Sequence, residues 1–162
     1  MKAVLISIRK EHNKNIFDGT KRFEGRKTLP KIIPLGNHID NTTPYVPSDD
    51  DVICYVYEPK AGGGVGKVVG YFVCDFAQSF HTAFANMKMV ANALCVTENF
   101  ANQYFNRNRG YMLRVCVPKR YDKPKELSEF HHCHTGVNID RSGYPLGPRM
   151  SRAPQSWCYV EK

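Results

Sequence analysis

Gly19-Thr20-Lys21-Arg22-Phe23-Glu24-Gly25-Arg26 is the stretch from which the architecture of this chain is read. Glycine after Asp18 can adopt the left-handed conformation that ends a helix without a Cβ clash. The following Arg22–Lys27 reads as a strand, in which alternate side chains share a face. Phe23 then points to one side, and Glu24 and Arg26 to the other. Lys21, Glu24 and Arg26 together place two cations about one fixed acceptor. A carboxylate accepts hydrogen bonds from a cytosine amino group or a guanine edge, and arginine clamps a phosphate or a base edge. The same residues also suit a solvated surface network of little energetic worth.

Outward from this stretch, Ala3–Ile8 is apolar and β-branched, as a buried strand requires, and Glu11–Phe17 reads as a short helix. Residues 28–51 hold four prolines and the acidic tip Asp49-Asp50-Asp51, and read as a long irregular loop. Val52–Tyr57 and Val68–Phe76 are strands joined by a glycine-rich turn, Pro59–Gly66. His81–Val96 has mixed helical spacing. Thr97 is placed to cap a helix over Glu98–Asn106, on which Phe100 and Tyr104 share a face. Tyr111–Val117 and Gln155–Val160 are further strands, with one helical turn over Lys125–Phe130. Strands outnumber helices and turns are closely spaced, which predicts an α+β domain built as a small, partly closed β-barrel with peripheral helices. No linker divides residues 1–162, so one domain is expected.

The chain has 162 residues, of which 42% are hydrophobic and 23% charged, a composition that fills a core and excludes wholesale disorder. Its formal net charge of +8 makes a polyanion the first partner to consider. Residues 1–31 carry nine basic side chains against three acidic ones, an excess of +6, so the positive field is concentrated near Gly19–Lys27. No apolar run is long enough to span a membrane, and Met1–Arg9 lacks the pattern of a signal peptide, so a cytoplasmic protein without membrane partners is expected. The six cysteines form no close pairs; Cys54, Cys74, Cys116 and Cys158 lie in apolar runs and read as structural thiols.

Two further motifs lack residues that their chemistry needs. Ala61–Val68 approaches a phosphate-binding loop, but Val68 stands where a magnesium-binding hydroxyl is needed and a strand follows instead of a helix. His131-His132-Cys133-His134 offers metal-ligand chemistry, yet adjacent side chains diverge and no second ligand pair is evident beyond the isolated His81. No metal and no cofactor is therefore expected.

The order strand, short helix, Gly19-x-Lys21-x-x-Glu24-x-Arg26 resembles the ASCH domain, whose hallmark is that spacing. Val52–Phe76, Thr97–Val117, Tyr121–Phe130 and Ala153–Val160 extend the likeness, the last being similar to the closing strand of small bacterial and phage ASCH proteins. The resemblance implies a PUA-like fold and a role in binding RNA or a modified nucleotide, in transcription- or translation-linked regulation. Carried over, Lys21, Glu24 and Arg26 become cleft residues and Thr20 a hydroxyl donor; the binding reading adds Arg9, Lys10 and Lys27 as phosphate contacts. Gln155 and Ser156 join them from the closing strand, and Tyr45 or Tyr144 could stack on a base.

Some ASCH proteins hydrolyse N4-acetylcytidine, using the motif lysine, and ribonuclease activity is suggested for others. As an enzyme this chain would rely on Lys21 and Glu24. It keeps that lysine but has Glu24 where the amidohydrolases carry threonine, a departure that favours recognition over hydrolysis. Residues 131–151 are longer than the family pattern and read as a second long loop.

Overall fold

The computed structural model describes residues 2–36, 43–106, 108–133 and 147–161. Tyr144, His134 and most of the second long loop lie outside them. Nine strands and three α-helices follow one another along the described chain: β1 (Lys2–Ser7), α1 (Lys10–Phe17), β2 (Phe23–Arg26), β3 (Val52–Glu58), β4 (Lys67–Cys74), β5 (Ala77–His81), α2 (Met87–Ala93), α3 (Glu98–Phe105), β6 (Arg109–Arg114), β7 (Cys116–Lys125), β8 (His131–His132) and β9 (Trp157–Glu161). A single 3-10 turn covers Leu127–Glu129.

Six strands form one sheet in the order β7-β4-β3-β1-β9-β8, and three form a second in the order β2-β6-β5. β1 and β3 run parallel at the centre, and their remaining neighbours are antiparallel. The α+β class read from the sequence is the class observed, with the strands in two sheets that are not closed into a barrel.

Alternation along β1 explains the layering. Val4 and Ile6 pack with Cys54, Val56, Phe72 and Ile16 on one face. Ala3 and Leu5 pack with Tyr55, Phe130 and Val160 on the other. A strand buried on both faces must be apolar, as β1 is from Ala3 to Ile6, its half-buried ends being Lys2 and Ser7. Phe23 and Met112 of the small sheet form a separate core with Val90, Leu94 and Phe105 of the helices. That core fixes α3, whose first turn is capped by Thr97 Oγ1 accepting from the Phe100 amide at 3.2 Å.

The principal difference from the sequence reading is β7, which continues for ten residues to Lys125. Pro118, Pro124 and four basic residues would be excluded from a central strand, but β7 lies at the sheet edge, where a missing amide donor costs nothing. The stretch from Val68 to Phe76 also divides, since β4 ends at Cys74 and β5 begins at Ala77 in the other sheet.

Close approach of β4 and β7 depends on Gly70. A Cβ there would lie 2.3 Å from the Lys119 carbonyl oxygen and 2.7 Å from the Phe17 ring. Gly70→Ala is therefore expected to lower stability by about 1–3 kcal/mol, the usual cost of forced overpacking. A thermal melt that coincides with wild type would count against this account of the edge.

Candidate functional site

The turn after α1 aims Lys21 inward. Gly19 takes φ = 80°, which a glycine adopts freely. The Asp18 carboxylate accepts from the Thr20 amide at 2.9 Å and the Thr20 hydroxyl at 2.6 Å, and the Lys21 amide donates to the Asn15 carbonyl at 2.7 Å. Strand β2 then carries Glu24 and Arg26 on one face, as the period of two requires.

These three side chains form a buried ionic group. Lys21 is 4% exposed, Glu24 5% and Arg26 6%. Lys21 Nζ donates to Glu24 Oε2 at 2.5 Å, and Arg26 Nη2 lies 3.0 Å from Glu24 Oε1. Arg26 Nη2 also donates to the Ser7 carbonyl at 3.0 Å, tying the group to the end of β1. Burial pushes the Glu24 carboxyl up, but the charges of Lys21 and Arg26 and the Lys21 hydrogen bond outweigh it and hold it below its ordinary value.

The group opens onto a cleft of about 360 Å³ between α1, β2 and α3. Arg9 lines it from the N-cap of α1, His12 from α1 itself, Pro59 from the turn after β3, and Gln155 from the approach to β9. Leu94, Val96, Phe100 and Tyr104 form its apolar wall. Phe100 and Tyr104, one helical turn apart, stack with centroids 5.9 Å apart and an interplanar angle of 6°. The His12 ring lies 5.3 Å from Phe100. Burial, and after it the Lys21 charge, push the His12 imidazole below 6.5.

A second buried carboxylate supports the cleft from behind. Glu58 is fully buried, accepting from Asn13 Nδ2 at 2.8 Å and from the Val65 amide at 3.1 Å. It joins α1, which bears His12, to the turn that bears Pro59. Gly62, Gly63 and Gly66 take positive φ in that turn, which links two antiparallel strands.

Of the residues singled out from the sequence, Arg9, Lys21, Glu24, Arg26 and Gln155 line the cleft. Lys27 sits beside it, with Nζ 4.9 Å from the centroid of the Tyr104 ring. Lys10 points away, its Nζ 3.5 Å from the Gly63 carbonyl oxygen. The Thr20 hydroxyl belongs to the turn, and the Ser156 carbonyl accepts from the Ser7 amide at 3.0 Å. Tyr45 donates to Asp51 at 2.6 Å, in the loop before β3. His131 and His132 pair with β9, and no three potential ligands gather into a metal site among the described residues. The sequence reading missed His12 and the apolar wall. The shared face of Phe100 and Tyr104 was visible, but nothing indicated that it would meet β2.

Two sheets, α1 packed on the larger and α2 and α3 on the smaller, and a buried ionic group between them define the class: an α+β domain with a basic, aromatic-walled cleft. The fold is that of an ASCH domain. It superimposes on the crystal structure of ASCH from Zymomonas mobilis with a TM-score of 0.59 at 15% identity, covering 99% of this chain and 89% of that one. A serine-to-alanine variant of the same protein gives a TM-score of 0.60 at 15% identity, covering 99% of this chain and 89% of that one. A tyrosine-to-phenylalanine variant gives 0.58 at 15% identity, covering 100% and 92%. No family model matches the sequence, and no curated protein is similar to it in sequence.

Glu24→Ala leaves two buried cations without their acceptor and is expected to destabilise the domain by about 3–5 kcal/mol in denaturant titration. The pH dependence has a defined sign. Glu24 stays ionised to lower pH in the folded protein than in the unfolded chain. It therefore stabilises the fold above about pH 4.5, and that contribution disappears as pH falls through its depressed folded value. Between these values wild type should lose stability more steeply than Glu24→Gln; parallel acid-unfolding curves would contradict the assignment. In NMR titration, the His12 ring should reach its midpoint below 6.5.

Proposed function

We propose that this chain binds RNA by seating one nucleotide, modified or not, in the cleft between α1, β2 and α3. The observation that carries this reading is the buried Lys21–Glu24–Arg26 group facing the stacked Phe100 and Tyr104 across one cleft. About 360 Å³ falls within the range of small-molecule sites and accommodates a nucleoside. The aromatic wall offers a face on which any base can stack. A carboxylate has about four lone-pair positions, and Lys21 and Arg26 each take one of Glu24's, so acceptor capacity remains for an amino or imino group of the base. Arg9 at the mouth, 66% exposed in its side chain and loosely paired with Glu11 at 3.9 Å, supplies a phosphate contact.

The same 2.5 Å contact between Lys21 and Glu24 also supports a hydrolase reading, because it pairs an acid with a base inside the cleft. Recognition is preferred, since Lys21 directs its ammonium at Glu24 and the carboxylate is already bound on both oxygens. Regulation linked to transcription or translation, and a cytoplasmic location, belong to this proposal.

A panel of nucleosides and short RNAs, assayed for both binding and product, tests it. Binding should weaken steeply with salt, and Phe100→Ala should cost about 1–3 kcal/mol of affinity, the worth of one stacked base. Absence of binding across the panel overturns the proposal. Product formation that disappears in Lys21→Arg replaces it with the hydrolase.

A further inference from the structure

A basic path leaves the cleft along α1, and we propose that it carries the phosphate backbone of a single-stranded RNA whose base occupies the cleft. This inference rests on the binding function proposed above and specifies its ligand as a polynucleotide instead of a free nucleotide.

Lys10, Lys14 and Phe17 stand at i, i+4 and i+7 of α1 and therefore share one stripe. At 1.5 Å per residue the stripe runs about 10 Å, starting beside Arg9 at the cleft mouth. Lys10 and Lys14 are exposed along it. Its far end is continued by another element: Arg120 of β7 lies over the Phe17 ring, 5.4 Å from its centroid. Lys119 and Lys123, also exposed on β7, alternate to the opposite face of the sheet, so Arg120 alone continues the stripe. The path thus joins a helix and a sheet edge distant in sequence, with Phe17 as the link.

Charge along the path is available. None of Lys10, Lys14 and Arg120 forms an ion pair with a carboxylate among the described residues. Three acids lie nearby, of which Glu11 of α1 is 3.9 Å from Arg9 Nη1. Asp122 is exposed on β7, and Asp18 accepts both Thr20 hydrogen bonds while lying near Lys14. Lysine and proline on an edge strand also deter edge-to-edge pairing, which accounts for β7 taken alone. It does not account for Lys10 and Lys14, which line a helix with no edge to protect. A flexible polyanion follows such a stripe, since its phosphates can adjust to cations on two elements.

The test compares a labelled ten-nucleotide single-stranded RNA with a mononucleotide, using wild type and the triple variant Lys10→Gln, Lys14→Gln, Arg120→Gln. Wild type should bind the oligomer more tightly than the mononucleotide. Each phosphate contact contributes about 0.7 to the salt slope, so the variant should lose a slope of about 2 and on the order of 100-fold in oligomer affinity at ~0.1 M salt. Its mononucleotide affinity should stay within about twofold of wild type, because no altered residue lines the cleft. Equal oligomer affinity in wild type and variant overturns the path and leaves the cleft function standing. So does an oligomer bound no better than the mononucleotide by wild type. Wild type that binds neither ligand overturns the cleft function and the path with it. Should the triple variant melt early, Lys14→Gln alone decides, with an expected slope change of about 0.7.

Discussion

The site depends on one carboxylate kept charged out of water. Glu24 is surrounded by protein, and an isolated carboxylate there would take up a proton instead of remaining ionised. Lys21 and Arg26 reverse that outcome by approaching its two oxygens from opposite ends of a six-residue segment. Each partner needs the others, because removing any one leaves an unbalanced charge inside the fold. The group is weak evidence for stability, since apolar residues of similar volume often serve as well. What it fixes is geometry: three side chains, two elements and the end of β1 held in one arrangement.

Much of the surrounding structure delivers those three residues. The Asp18–Thr20 turn orients Lys21, and the pairing of β2 with β6 fixes the face on which Glu24 and Arg26 lie. Gly25 lets the helices approach from behind: a Cβ there would lie 2.8 Å from Leu94 Cδ1 and 3.2 Å from the Phe105 ring. The absence of one side chain therefore brings α3, and with it Phe100 and Tyr104, against the ionic group. Glu58 performs the matching task on the opposite flank, holding α1 to the turn that carries Pro59. Two buried carboxylates, one in the cleft and one behind it, set the distance between the walls.

What the sequence disclosed follows from which features are local. The spacing of Lys21, Glu24 and Arg26 was legible because strand alternation alone puts the last two on one face. The core strands β1, β3 and β4 were legible because continuous β-branched and aromatic runs have few other uses. β7 was not, because its charges and prolines are tolerated only at an edge, and edge position is a property of the finished sheet. His12 was equally hidden. A lone histidine on a short helix acquires its environment from Phe100 and Lys21, which reach it through tertiary packing. Lys10 shows the same limit in reverse, since one residue along the helix separates the cleft side of Arg9 from the outer stripe.

The remaining charge gives the cleft its direction of preference. Lys21 and Arg26 against Glu24 leave an excess of one positive charge on a floor that excludes most water, while Arg9 at the mouth is paired with Glu11. Positive charge with incomplete solvation favours an anionic ligand more strongly than the same charge on an open surface, because less water screens it. The apolar wall opposes a small, strongly hydrated anion, which would surrender its hydration to reach the floor. A ligand that satisfies both must be flat and apolar at one end and anionic at the other. Nucleotides combine those properties on the length scale of this cleft, which is why one is the ligand proposed for it.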